Sequence, residues 1–506
     1  MRSLLRKITS LVCTFMLLIY SYGQDFNGYS LYNEMGGNTV YLVDKNQNIA
    51  HSWSCNLACN YSVLLKDNGN IVRGGIDFSS QIFAAATAGV IQELDANANV
   101  VWEFTYSDAD HISHHDIALL PNGNVLLTAY EVKTVAELTQ AGVDNANSEY
   151  WPTHFIEVEQ NGTGGQIVWE WHIWDHMIQD VDSTKDNFGV VSDHPELMDI
   201  NAYEPFDFGF PGFTDGDWFH VNGVDYNEAL DQIVFSSRYT SEIYIIDHST
   251  TTAEAAGHTG GNSGMGGDFL YRWGNPGNYG SSDPQTINAA VHDPRWIEDG
   301  RPNAGYIQFF NNEGGPGGSS VIQAIDPPLS GYNYLMTGNS YAPLTADWSH
   351  DCLVSASGQS SHDRMSNGNT FVNVSGEYMY EVNDLGNTVW QYNGGGSVGK
   401  AFRYECDHPG IIALLGDGSC ETASVKDKAN NISLFPNPTN GGLQIEGISA
   451  LDSNVEIEVF DTQGNLILTL RNTSKVDLSQ QTEGLYLVSI KADGKRILTK
   501  KISVIK

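Results

Sequence analysis

The sequence predicts an all-β chain: a long body of repeated hairpin units, then a small β-sandwich. Three observations predict it. Helical periodicity is almost absent; apolar residues alternate with polar ones or come in short runs, and turn residues punctuate them every ~8–12 positions. The body carries a ragged repeat with two halves. One half is a hairpin on a Gly turn, as in "LLKDNGNIV", "LLPNGNVLL" and "RMSNGNTFV"; the other is a turn followed by a tryptophan strand, as in "VDKNQNIAHSW", "LDANANVVWEF", "NGTGGQIVWEW" and "NDLGNTVWQY". Near Cys420 the texture changes to a polar stretch, "DGSCETASVKDKANN", and then to short alternating strands joined by Gly turns.

In chain order, residues 1–23 read as a secretory signal peptide. "MRSLLRK" is basic, "LVCTFMLLIY" apolar, and "SYG" small before Gln24. No other apolar run reaches the ~20 residues a membrane span needs, so no membrane span is expected in the mature chain. The body follows, over residues 24–420. Its repeat units cannot bury their apolar faces singly, and a radial stack of four-stranded blades, a β-propeller, would do so without long open edges. Six blades would hold roughly 65 residues each, above the ~40–50 of compact propeller repeats, so long loops must absorb the excess. An array of β-sandwiches is the rival arrangement. Residues 421–431 form a linker, and 432–506 the terminal sandwich.

Charge and cysteine usage narrow the function. The net charge is −36, and residues 24–429 hold 53 of the 61 acidic residues but only 14 of the 25 basic ones. Such a body repels nucleic acid and anionic membranes, and makes each basic residue within it informative. Once Cys13 leaves with the signal, Cys55/Cys59 and Cys406/Cys420 could each close a small loop, with Cys352 left over. Zinc binding at "CNLAC" lacks a second Cys/His pair at ligand spacing.

Four of the 15 histidines stand apart. His115 and His362 precede Asn-Gly-Asn turns by seven and five positions, a difference of two, which on a strand is the same face. His220 opens the strand of "DWFHVNGVDYNEALDQIVFSSRY", whose return strand ends at Arg238; a hairpin brings those two ends together. His292 lies in "AAVHDPRWIEDG" beside Arg295. All four occupy the strand entering a repeat, and in a propeller that part of every blade points to one end of the central channel. Converging imidazoles bind a metal, or carry a transferred group while a nearby cation neutralises developing oxyanion charge. Only the second chemistry explains Arg238. The remaining histidines, including His154, His172 and His176 beside tryptophans, read as packed or loop residues.

The terminal segment, through "LFPNPTNG", "VFDTQGNLI", "GLYLVSI" and "KKISVIK", closely resembles the C-terminal sorting domain of the type IX secretion system of Bacteroidetes. That resemblance implies the secretion machinery as a partner, and a secreted or cell-surface location reached via the periplasm. In the body, "DWFHVNGVDYNEALDQIVFSSRYTSEIYIID", "GGDFLYRWGNP", "HDPRWI", "FFNN" and "NGNTFVNVSGEYMYEVNDLGNTVWQY" look like the aryl-sulfate sulfotransferases, which use no activated nucleotide sulfate. The resemblance implies a six-bladed propeller that moves a sulfuryl group from a phenolic sulfate ester to a phenol through a sulfated histidine, with no cofactor and no metal. It implies His220 and His292 as channel histidines that polarise the sulfate, Arg238 near them, and a nucleophile from the late blade, where His362 is preferred to His350. His115, Arg295 and Arg364 are the expected substrate-binding residues.

The sequence departs from the family pattern at two places. After "FFNN" the family implies a sulfate-binding arginine, where this chain has Gly315 or a neighbour in "EGGPGGSS"; around His362, "HDRMSNGN" keeps Arg364 and little else of the family pattern. The alternatives are therefore a weak or inactive propeller serving as a secreted binding or adhesion module, and a metal-dependent propeller hydrolase or lyase.

Overall fold

The structure is a computed structural model that describes residues 26–203, 216–394, 396–416, 432–447, 454–462, 464–492 and 495–506. The signal peptide and linker expectations lie outside these residues. The chain divides into two compact units, Met1–Asp417 and Gly418–Lys506.

In the first unit the described residues form six four-stranded sheets, each a simple antiparallel meander. Five begin with their innermost strand: β1 (Cys59–Leu65), β2 (His111–Leu119), β3 (Val221–Asn227), β4 (Val291–Trp296) and β5 (Ser361–Arg364). The sixth inner strand, β6 (Ala401–Glu405), comes last in the unit and pairs with Gly28–Asn33. The ends of the unit are thus stitched into one sheet, with Leu31 opposite Phe402. The inner strands neighbour one another cyclically, β1 beside β2, β2 beside β3, β3 beside β4, β4 beside β5 and β5 beside β6. That is a β-propeller, and the sandwich array is excluded. β3 and β4 lie so close that a Cβ on Gly223 would sit 2.6 Å from Pro294 Cδ and 2.8 Å from the Asp293 nitrogen.

Both halves of the repeat now have physical causes. In each Asn-Gly-Asn turn the first Asn side chain accepts the N–H two residues on (Asn70 to Asn68, 3.0 Å; Asn124 to Asn122, 2.9 Å; Asn369 to Asn367, 3.0 Å), and the glycine takes a positive φ of 85–90°. The tryptophan strands are the outermost ones, otherwise largely exposed. Their indole N–H groups reach the next sheet: Trp53 donates to the Asp95 carbonyl at 3.0 Å, Trp102 to Gly164 at 2.7 Å and Trp169 to Thr250 Oγ1 at 3.2 Å. Trp390 closes the circle, donating to the Lys45 carbonyl at 2.8 Å across 345 residues. Cys55 and Cys59 are buried free thiols, so the first of the small cysteine loops is not formed.

The second unit packs a three-stranded sheet (Ser433–Phe435, Gly442–Glu446, Lys475–Asp477) and a four-stranded one (Val455–Phe460, Leu466–Arg471, Gly484–Ala492, Lys495–Val504) around Ile445, Ile457, Val488 and Ile502. This is the expected sandwich. No helix among the described residues is long and apolar enough to cross a membrane.

Replacing Trp390 by Phe keeps an aromatic ring but deletes the closing hydrogen bond, worth about 1 kcal/mol net. We expect a lowered Tm by calorimetry, whereas Leu385→Ser at an exposed turn should leave Tm unchanged.

Candidate functional site

The inner strands do not run regularly at their starts. Each of β1 to β4 carries a register break, at Cys59/Val63, Ser113/Ile117, Val221/Gly223 and His292/Arg295. The breaks coincide with left-handed backbone at His115 (φ 46°), His220 (φ 54°) and Asp293 (φ 52°). Such bulges re-aim side chains, and strained backbone of this kind clusters at functional sites.

The strand starts bring together His115, His220, His292 and Arg238. The His115 and His220 rings lie 4.6 Å apart between centroids, and Tyr61 from β1 lies 5.1 Å from His115. The Arg238 N–H donates to the His220 carbonyl at 3.0 Å, pinning the two hairpin ends as the sequence predicts. Arg238 Nη1 donates to the Ser357 carbonyl at 2.6 Å. A Cβ on Gly358 would meet Arg238 Nη1 at 2.9 Å and His292 Cε1 at 3.8 Å, so both side chains border one small space.

Hydrogen bonding sets the tautomers. His292 Nδ1 donates to the Ala290 carbonyl at 2.8 Å, and its Nε2 accepts the Gln359 N–H at 3.0 Å. His220 Nδ1 is held by the Asp217 carboxylate, which leaves Nε2 with a lone pair. His115 shares a 2.8 Å Nδ1–Nδ1 contact with His114. Burial, followed by neighbouring histidines or Arg238, holds His115 and His292 well below the usual imidazole range, so both are neutral at neutral pH.

Directly beneath lies a buried charge layer. Lys400, the residue before β6, contacts Asp116 Oδ2 and lies 2.7 Å from Asp293 Oδ1. Arg295 grips Asp293 with Nε at 2.9 Å and Nη2 at 3.1 Å. Burial alone would raise the Asp293 carboxyl; Arg295 and Lys400 outweigh it and hold it far below the carboxylate range. Two cations face two carboxylates here, so Arg238 is the cation left facing the mouth.

The other expected residues lie elsewhere. The His362 N–H donates to Asp293 Oδ2 at 2.9 Å and its Nε2 to the Asp293 carbonyl at 2.8 Å, which puts it in the charge layer. Burial brings its pKa down to about 4, against the pull of Asp293. Where the late sheet meets His292, the residue is Gln359. His362, Arg295 and Arg364 instead line a cavity of about 870 Å3 at the far ends of the inner strands, with Asp225, Arg301 and Asp363. Arg364 bonds Thr370 and Asp384 there, and His350 sits on an outermost strand, its Nε2 3.2 Å from the Tyr380 hydroxyl. Near Gly315, Asn312 Nδ2 donates to the Ala356 and Gln359 carbonyls, bracing the loop that carries Gly358.

Sequence reasoning missed Tyr61, Asp217, Asp116, Asp293 and Lys400. The signal for the aspartates was present, because Asp116 and Asp293 each follow a site histidine directly. Lys400 was one of the few cations of the acidic body.

The fold is thus a β-propeller whose channel mouth gathers His115, His220 and His292 beside Arg238. Residues 90–320, which span β2, β3 and β4, match the arylsulfotransferase (ASST) family model, and residues 433–506 match the secretion system C-terminal sorting domain. Residues 90–320 are thus similar to the arylsulfotransferase family, and the chain ends in a type IX sorting domain that addresses it to the cell surface or beyond. No curated protein matches it. Among solved structures it is similar to a protein of unknown function from Bacteroides caccae, at 11% identity over 74% of this chain and 98% of that one, with a TM-score of 0.41. It is also similar to a putative 6-phosphogluconolactonase from Bacteroides fragilis (9% identity, 94% and 98% coverage, TM-score 0.37). The Myceliophteria thermophila Cps50 (Swd1) β-propeller domain matches at 9% identity over 73% and 84%, with a TM-score of 0.32.

Two predictions follow from the burial of these groups. An imidazole with a depressed folded-state pKa stabilises the fold fully above the unfolded value of about 6.5, and that contribution is lost as pH falls toward the folded value. Urea unfolding should therefore show stability dropping between pH 6.5 and about 4, with a shallower drop for His362→Gln. Lys400→Met removes the cation between two buried carboxylates and should cost about 3–5 kcal/mol by the same measurement, while Lys400→Arg should recover part of it.

Proposed function

We propose that the protein is a secreted aryl-sulfate sulfotransferase that carries the sulfuryl group on a channel histidine. The family region suggests this class of activity. The observation that carries the finer reading is the Asp217–His220 pair opening beside Arg238, His115 and His292. The His220 Nε2 lone pair attacks sulfur, the S–O bond to the phenol breaks, and the phenolate leaves with the bonding pair. The positive charge that attack places on the imidazole is matched by the Asp217 carboxylate at Nδ1, the role a carboxylate takes behind any nucleophilic or basic imidazole. Arg238 neutralises the oxygens of the transferring group, worth ~10²–10³-fold in rate for a donor of this kind. An acceptor phenol then attacks the same sulfur, the S–N bond breaks with its pair returning to Nε2, and the phenol's proton passes through solvent to the phenolate released in the first step, regenerating His220. Phenolic donor and phenolic acceptor use the site in turn.

The resemblance puts His362 forward as the carrier. Its Nε2 is committed to the Asp293 carbonyl and its Nδ1 is buried without a protein partner, so it competes with His220 only if that nitrogen is reached from the far cavity. A second reading, a binding module that kept the scaffold, is favoured by Gly315 or a neighbour standing where the resemblance implies a sulfate-binding arginine.

Incubation with a chromogenic aryl sulfate alone, followed by intact mass and peptide mapping, should show one sulfuryl group on the His220 peptide. His220→Ala should abolish the label and acceptor-dependent phenol release, and His362→Gln should retain both. Label on the His362 peptide reverses the carrier assignment. No label and no release in the wild type supports the binding module.

A further inference from the structure

We propose that Glu131, His154 and His172 form a transition-metal site, chemically suited to zinc, at the edge of the second of the five sheets that open with their inner strand. The three residues come from three adjacent strands. Thr153–Asn161 pairs on one side with Val125–Glu131 and on the other with Gly164–His172, and His154 stands opposite His172 in the ladder. Each residue offers one ligand atom, and these atoms all lie within 4.8 Å of one another. His172 Nδ1 hydrogen-bonds Glu131 Oε1 at 3.1 Å; a metal would replace that bond, and two ligands of a tetrahedral zinc stand only slightly farther apart, about 3.3–3.6 Å. The two imidazoles stack, with planes 4° from parallel and centroids 4.9 Å apart, so the partly exposed His172 ring turns for both lone pairs to meet one ion.

The surroundings are those of a ligand set. His154 is fully buried. Its Nε2 is taken by the Tyr106 hydroxyl at 2.9 Å, and its Nδ1 finds no protein partner. A buried imidazole nitrogen left bare is rare, and a metal bond would occupy it. Lys133 holds Glu131 Oε2 at 2.7 Å, which leaves Oε1 as a single ligand oxygen. Lys133 is also the one feature that opposes a cation here, and it sits on the carboxylate oxygen away from His172. Glu170 approaches His172 Nε2 at 3.3 Å, so both imidazoles carry the opposite-side hydrogen bond that orients metal-binding histidines. Two imidazoles and a carboxylate suit zinc and its neighbours, while calcium and magnesium ask for oxygen ligands. The set leaves room for water as a further ligand.

A second grouping, His176, His258 and Asp268, serves as the internal control. There the buried His176 has both ring nitrogens taken, Nδ1 by Asp268 Oδ1 at 2.7 Å and Nε2 by the Ala255 carbonyl at 2.8 Å, whereas His154 keeps one buried nitrogen bare.

The test uses the untagged mature protein, dialysed against a chelator and then titrated with Zn2+ by calorimetry and with Co2+ by visible absorption. One saturable site per chain is expected, with the intense visible bands of four-coordinate Co2+ and a zinc-dependent rise in Tm. Glu131→Gln and His172→Ala should each weaken binding at least ~100-fold, and His258→Ala should leave it unchanged. Glu131→Gln preserves size and shape, so a folding failure of His172→Ala does not spoil the test. No saturable binding, binding indifferent to Glu131→Gln, or binding lost with His258→Ala overturns the proposal.

Discussion

The contact on which the site depends is the buried Lys400 ammonium between Asp116 and Asp293. These groups come from three inner strands of the ring, β2, β4 and the approach to β6. Two carboxylates buried this closely would repel each other and lose hydration; a single cation between them turns a liability into a tie across the channel. Everything functional is stacked on that tie. Asp116 and Asp293 are the residues after His115 and His292, so fixing the carboxylates fixes the backbone that presents the imidazoles. Arg295 and His362 are organised around Asp293 in turn.

The charge layer also explains the division of labour among the basic residues. In a chain this acidic, a cation inside the channel could serve either the fold or a ligand. Lys400 and Arg295 are consumed by Asp116 and Asp293, and Arg364 and Arg301 by Asp384 and Asp363. Arg238 alone among the expected arginines is held by backbone carbonyl contact rather than by a carboxylate, which leaves its charge available. Burial keeps His115 and His292 neutral, so they act as polarisable acceptors and donors and not as competing cations.

Much of this was legible in the sequence, and for physical reasons. Hairpin turns and outer-strand tryptophans recur because each sheet must solve the same closing problem, and repetition is visible without coordinates. The convergence of His115, His220, His292 and Arg238 followed from period-2 geometry and hairpin pairing. The depth of each residue did not. His362 shares a face with its counterparts, yet β5 has no register break like those of β1 to β4, so its imidazole falls one layer lower and Gln359 meets His292 instead. A bulge adds a residue to a strand with no consistent compositional mark. Lys400 was invisible for another reason: it reaches Asp116 across 284 residues. His154 and His172 read as packed aromatics because their third partner, Glu131, stands on a different strand.

The stitched sheet has a consequence for when the site comes into being. Because β6 is the last strand of the ring and Lys400 directly precedes it, the lysine arrives only when the two ends of the body meet. Until then Asp116 lacks its ammonium partner and Asp293 is held by Arg295 alone, so the tie between the two inner strands is not made. A body cut short before residue 400 retains His115, His220 and His292 but lacks the keystone. Competence at the channel mouth therefore reports that the circle has closed, a built-in safeguard for a protein that must cross a cell envelope before it works.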